Sequence, residues 1–152
     1  MTKKFEFTGE TKTIQLAFRK VTLHRIRAVV DFGLIKTGDI GGWLEKEENL
    51  SQEGEAWVCG DAKVCGDAEV FSASHVMVIG AIGSRNDFTT FYRGKNKQIM
   101  VRCGCFNDTI DRFIEKVKST HGVNKHALVY QKAAELAKIQ IDLACEPQES
   151  EE

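Results

Sequence analysis

With 152 residues, 42% of them hydrophobic, and a formal net charge of -1 at pH 7, the chain suits one compact domain or two small modules. No segment matches a nucleic-acid-binding module and no apolar run is long enough to span a bilayer, so neither sequence-specific nucleic-acid binding nor a membrane is expected. Five cysteines are an odd number for a disulfide scaffold, and the basic start MTKKFEFTGETK lacks an apolar segment behind it, so the expectation is free thiols in a reducing cytoplasm with no export signal.

In chain order, residues 1–40 read as strands. Phe5 and Phe7 alternate with polar neighbours, as do Ile14, Leu16 and Phe18, and Leu23, Ile26, Ala28 and Val30 form a longer run with a slipped register. This segment leans basic, through Lys3, Lys4, Lys12, Arg19, Lys20, Arg25 and Arg27, whereas Glu45 to Glu69 leans acidic. The turn-rich stretch Lys36-Thr-Gly-Asp and then Gly41-Gly42 lead into Trp43 and Leu44. The N-terminal strands are expected to cap the first coil of the repeat that begins there.

Residues 41–80 carry the strongest pattern. Val58, Val64, Val70 and Val76 recur every six residues, and four places after each comes a small residue: Ala62, Ala68, Ser74 and Gly80. Six is neither a helical nor a hairpin period; it marks a hexapeptide β-solenoid in which each hexad is one strand and one corner. Gly60 and Gly66 fall at corners where positive φ is needed. Leu44, Leu50 and Ala56 continue the register of Ala62, with Lys46 and Gln52 at the valine positions, so the first turn reads as imperfect. Three hexads to a coil would stack residues eighteen apart: Val58 on Val76, Ala56 on Ser74, and Trp57 beside His75 on the outside.

Residues 81–143 read as a β-hairpin, Phe88 to Arg93 and Gln98 to Cys103 across a Gly94-Lys-Asn-Lys turn, followed by two helices. Asn107 or Asp108 caps the first, which carries Ile110, Phe113, Ile114 and Val117 and stops at His121-Gly122; Asn124 caps the second, with Val129, Ala133, Leu136, Ala137 and Ile141 on one face. Residues 144–152 are acidic and expected to be disordered. The fold class is therefore mainly β with a helical C-terminal part: a short solenoid of about two coils, a β-hairpin and two α-helices.

The run GGWLEKEENLSQEGEAWVCGDAKVCGDAEVF, followed by IGSRNDFTTFYR and CGCFNDTIDRF, resembles small proteins of bacteriophages and prophages that carry short Trp-Val-Tyr-Gly-Asn-Ala-like hexads before a compact C-terminal module. Here Cys59 and Cys65 replace the aromatic residue after the valine. The resemblance implies a left-handed β-helix, a phage origin and an accessory role against bacterial immunity.

Catalysis is not expected. Hexapeptide acyltransferases use a histidine base and a cleft built over several coils, and the repeat holds only His75; a zinc anhydrase needs three converging histidines, a spacing that His24, His75, His121 and His126 lack. Cys103 and Cys105 alternate onto one strand face, but Cys-x-Cys lacks the usual ligand loop, so they read as small apolar side chains and no metal or other cofactor is expected. The candidate binding segment is Gly80 to Arg93, where Ser84, Arg85, Thr89, Thr90 and Arg93 offer donors to a phosphate or carboxylate. Trp57, Phe71 and Met77 are candidate interface residues of a homo-oligomer, most simply a dimer. Together with these features, the resemblance implies a non-catalytic inhibitor that binds a host defence protein, in the manner of an anti-CRISPR, or sequesters a nucleotide-like signal; the alternatives are an oligomerising adaptor and, more remotely, an acyltransferase.

Overall fold

A computed structural model of the chain describes residues 3–16 and 18–143, so the expected acidic tail over 144–152 lies outside the described residues. The fold is mainly β, with two four-stranded sheets and two C-terminal helices. In the first sheet β1 (Phe5–Gln15) and β2 (Lys20–Ala28) form an antiparallel hairpin; β2 pairs with β3 (Ile40–Leu44), and β3 runs parallel to the short β4 (Lys63–Val64). The second sheet is an antiparallel meander of β5 (Val76–Ile82), β6 (Asp87–Gly94), β7 (Gln98–Cys103) and β8 (Phe106–Thr109). Helices α1 (Ile110–His121) and α2 (Lys125–Gln140) complete the described chain.

The six-residue pattern writes itself into burial. Leu44, Leu50, Ala56, Ala62 and Ala68, together with Val58, Val64 and Val70, all enter one core with Phe5, Ile26 and Tyr92. Parallel bridges join Leu44 to Val64 and Leu50 to Val70. Both offsets are twenty residues rather than the expected eighteen. The leucines lie across from valines, each two places beyond the alanine whose register the leucine continues, so that a large side chain meets a large one. Gly60 and Gly66 take the expected positive φ, 58° and 68°.

The N-terminal hairpin closes this core from one side. Gln52 Oε1 accepts the backbone N–H groups of Lys4 and Phe5 at 2.7 and 3.1 Å, and Lys4 Nζ donates to the Ala56 carbonyl at 2.6 Å. Phe18, read as part of the apolar alternation, is instead fully exposed beyond the end of β1. Past Phe71 a short 3-10 turn at Ala73–His75 interrupts the six-residue pattern, and there the Ser72 hydroxyl accepts the Ser74 N–H. That turn corrects the expectation for His75: its side chain is turned inward and is 0% exposed. Val76 then pairs antiparallel with Tyr92, while remaining packed against the core that holds Val58.

The expected hairpin is β6 and β7. The residue that caps α1 is Thr109, whose hydroxyl accepts the Arg112 N–H, because Asn107 and Asp108 still belong to β8. Asn124 caps α2 through the Ala127 N–H at 3.0 Å, as expected. The buried face of α2 is Ala127, Tyr130, Ala133, Ala134 and Ala137, with Leu136 turned out. Alanines let the helix approach α1 and the second sheet closely, and the larger Leu136 would hold it off. These helices and Phe91, Ile99 and Val101 make a second core, to which Met77 adds its side chain.

Candidate functional site

Two turns and two helices meet at one cleft. The β5–β6 turn brings Ser84 and Arg85, the β7–β8 turn brings Cys103 to Phe106, the second half of α1 brings Lys116 and His121, and α2 brings Tyr130 around a volume of about 230 Å³. Gly83 makes this possible. Its φ is +83° and an added Cβ would lie 1.7 Å from the Tyr130 hydroxyl, so only glycine lets the turn sit against that ring. Asn86, a residue that tolerates the left-handed region, follows at φ 53° and donates its N–H to the Gly83 carbonyl at 3.1 Å.

The wall is aromatic, and the rim carries Arg85, Lys116 and His121 together with the Asp87 carboxylate. Phe113 meets Tyr130 edge to face at 5.6 Å and Phe106 at 5.6 Å, while His121 stacks on Tyr130 at 5.9 Å with His126 a further 5.5 Å away. Burial, and then the neighbouring Cys103, push the Tyr130 hydroxyl up to about 12, so it keeps its proton at neutral pH and is a donor. The Cys103 thiol lies 3.9 Å from that oxygen and itself accepts the Thr89 hydroxyl at 3.4 Å. Arg85, Lys116 and His121 supply positive charge or donors beside a stacking surface, which suits an anionic group attached to a flat ring.

Of the residues expected to bind an anion, the structure brings Ser84 and Arg85 to the rim and sets the other three apart from it. Strand alternation puts Thr89 and Thr90 on opposite faces of β6. Thr89 is buried behind Cys103, and Thr90 Oγ1 accepts the Lys63 N–H at 3.0 Å between the two sheets. Arg93 is buried near the far end of the strand, 4.7 Å from the Phe71 ring centre and 3.4 Å from His75 Nε2. Lys116, His121 and Tyr130 do not stand out in the sequence. A signal does exist: Phe113, Lys116, Val117, Thr120 and His121 share one helical face by spacing, but His121-Gly122 reads first as a helix stop.

The three expected interface residues also separate. Trp57 packs against Phe32 at 5.4 Å and lines a groove of about 380 Å³ with Val76, Val78 and Leu34, the last 95% exposed. Phe71 lies under Arg93, and Met77 faces the helical core. Among the described residues no group of three or more His, Cys, Asp or Glu is placed to hold a metal ion, and no helix is long and apolar enough to cross a membrane. Cys59 and Cys105 are exposed; Cys65 is buried 3.7 Å from the Tyr92 hydroxyl, and burial pushes its thiol up. No protein-family model matches the chain, and no curated protein matches it.

Proposed function

We propose that the chain is a non-catalytic binding protein that sequesters a small nucleotide-like ligand in the cleft between the β5–β6 turn and the two helices, as a phage accessory protein acting in a bacterial cytoplasm against host immunity. One observation carries the ligand class: Arg85, Lys116 and His121 surround a wall of Phe106, Phe113 and Tyr130 in a single concavity. Phosphate or carboxylate oxygens fit the cations and a base fits the rings. The phage setting rests on the resemblance of the hexads. The hexad segment, read as a left-handed coil of about two turns, then serves as a rigid support. Calorimetric titration with cyclic and ADP-ribose-type nucleotides tests the reading. Binding that is abolished in Arg85→Ala supports it; no binding of any such nucleotide, or equal binding by the variant, removes it.

A second reading is favoured by the groove at Trp57. Its apolar lining and the protruding Leu34 fit a self-association surface, which makes the chain an oligomerising adaptor. Capture of a host defence complex with no nucleotide binding would instead support the anti-CRISPR-like inhibitor.

A further inference from the structure

A second set of donors lies between the two sheets, away from the cleft. Arg25, Trp43 and Lys63 stand directly across from one another on β2, β3 and β4. The Lys63 N–H donates to Thr90 Oγ1 at 3.0 Å, and Thr90 stands across from Arg102 on β7, so Arg102 continues the row into the second sheet. Lys63 is 8% exposed and Arg102 6%. Burial of charge on this scale ordinarily comes with a partner of opposite sign.

Here no such partner is found among the described residues. Among the described residues no ion pair or hydrogen bond reaches the Arg102 guanidinium, and its buried Nε is unsatisfied. The same holds for the buried Nε1 of Trp43 and Nε of Arg25. Lys63 Nζ donates to the Asp61 carbonyl at 3.3 Å and to no other described residue. Other charges make the row more positive still: Lys12 lies over the Trp43 ring at 4.5 Å and the Arg25 guanidinium at 5.0 Å. Burial first, and then Arg102 and Lys12, disfavour the Lys63 ammonium, while Asp87 and Asp61 favour it from a distance. Two buried cations beside several unpaired donors are the arrangement that an oxyanion completes.

We propose that this seam is a binding site for a phosphate-class oxyanion, with Lys63 and Arg102 supplying the charge and Trp43 Nε1 a further donor. The site is independent of the cleft that holds Arg85.

The test combines thermal unfolding and calorimetry with inorganic phosphate against chloride at constant ionic strength, in the full chain carrying Arg85→Ala so that the cleft does not contribute. The expected result is a phosphate-dependent rise in Tm, roughly 5 °C or more at a hundredfold excess over Kd. Adding Arg102→Met should weaken phosphate binding at least about tenfold. In phosphate-free buffer that variant should be no less stable than its parent, because an unpaired buried cation has been replaced by an apolar side chain of similar length. Arg102→Lys keeps the charge and serves if the methionine variant does not fold; loss of the two-nitrogen fork should still weaken binding. A nucleoside monophosphate run in parallel distinguishes a free anion from a phosphoester, and either one bound through Arg102 supports the site. An unchanged Tm up to about 50 mM phosphate, or equal affinity with and without the Arg102 substitution, overturns it.

Discussion

At the residue scale, the position on which the cleft depends most is Gly83. A side chain there meets the Tyr130 hydroxyl and must adopt φ +83°, so Gly83→Ala is expected to cost about 2 kcal/mol and to displace Ser84 and Arg85 from the rim. Chemical unfolding measures the first effect and nucleotide titration the second; an alanine variant with native stability and affinity would contradict both. His75 makes a prediction of another kind. Burial, and secondly the Arg93 guanidinium, hold its imidazole below the ordinary 6.5. Above that pH the folded and unfolded chains both carry neutral imidazole. As the pH falls through 6.5 toward the lower folded value, the unfolded chain takes up the proton first, and stability drops. The urea midpoint should therefore fall more steeply between about pH 7 and 5 in the native chain than in His75→Gln. Neither role is legible in the sequence. Glycine at position 83 reads as one of several turn glycines, and His75 occupies a slot that a regular hexad would point outward. It is the 3-10 turn at Ala73–His75, a departure from the repeat, that carries the imidazole inside.

Elements are more legible than their registers. The six-residue recurrence names inward positions, and the leucines, alanines and valines at those positions from Leu44 to Val70 are buried in one core, although Lys63–Val64 is the single strand described between β3 and β5. The pairing between turns departs from the eighteen-residue expectation by two residues, since stacking is decided by matching large side chains to large ones across the core, a tertiary preference that no single turn contains. Leu50→Ala should show the weight of that matching. It removes the side chain that stacks on Val70 in a closed core, and about 2–5 kcal/mol of unfolding free energy should go with it. The helices show the same division. Their existence and ends can be read, within two residues, from Asn124 and Gly122, whereas the face of α2 cannot, because an alanine-rich helix has little amphipathic signal of its own. Phe113→Ala, which empties the contact with Phe91, Phe106 and Tyr130, should cost about 3–5 kcal/mol and also abolish ligand binding. Denaturant curves and titration on the same sample would report both.

For the molecule as a whole, composition and repeat spacing point to a β-rich body with a helical end, but not to how distant segments converge. Ser84 and Arg85 can be named as donors from sequence; their company with Lys116, His121 and Tyr130 depends on two helices folding back over the second sheet. Self-association belongs to this scale too. If the groove at Trp57 seats a second copy, light scattering should give a dimer, and Leu34→Asp should return it to a monomer with its cleft affinity unchanged. A native chain that stays monomeric at high concentration would rule that out. The way the hexad segment ends has a further implication. At Val76 the chain enters the antiparallel meander, and the cleft is built wholly from residues beyond that point. The length of the hexad segment is thereby uncoupled from the cleft: duplicating twenty residues within it would leave every side chain that lines the cleft unchanged.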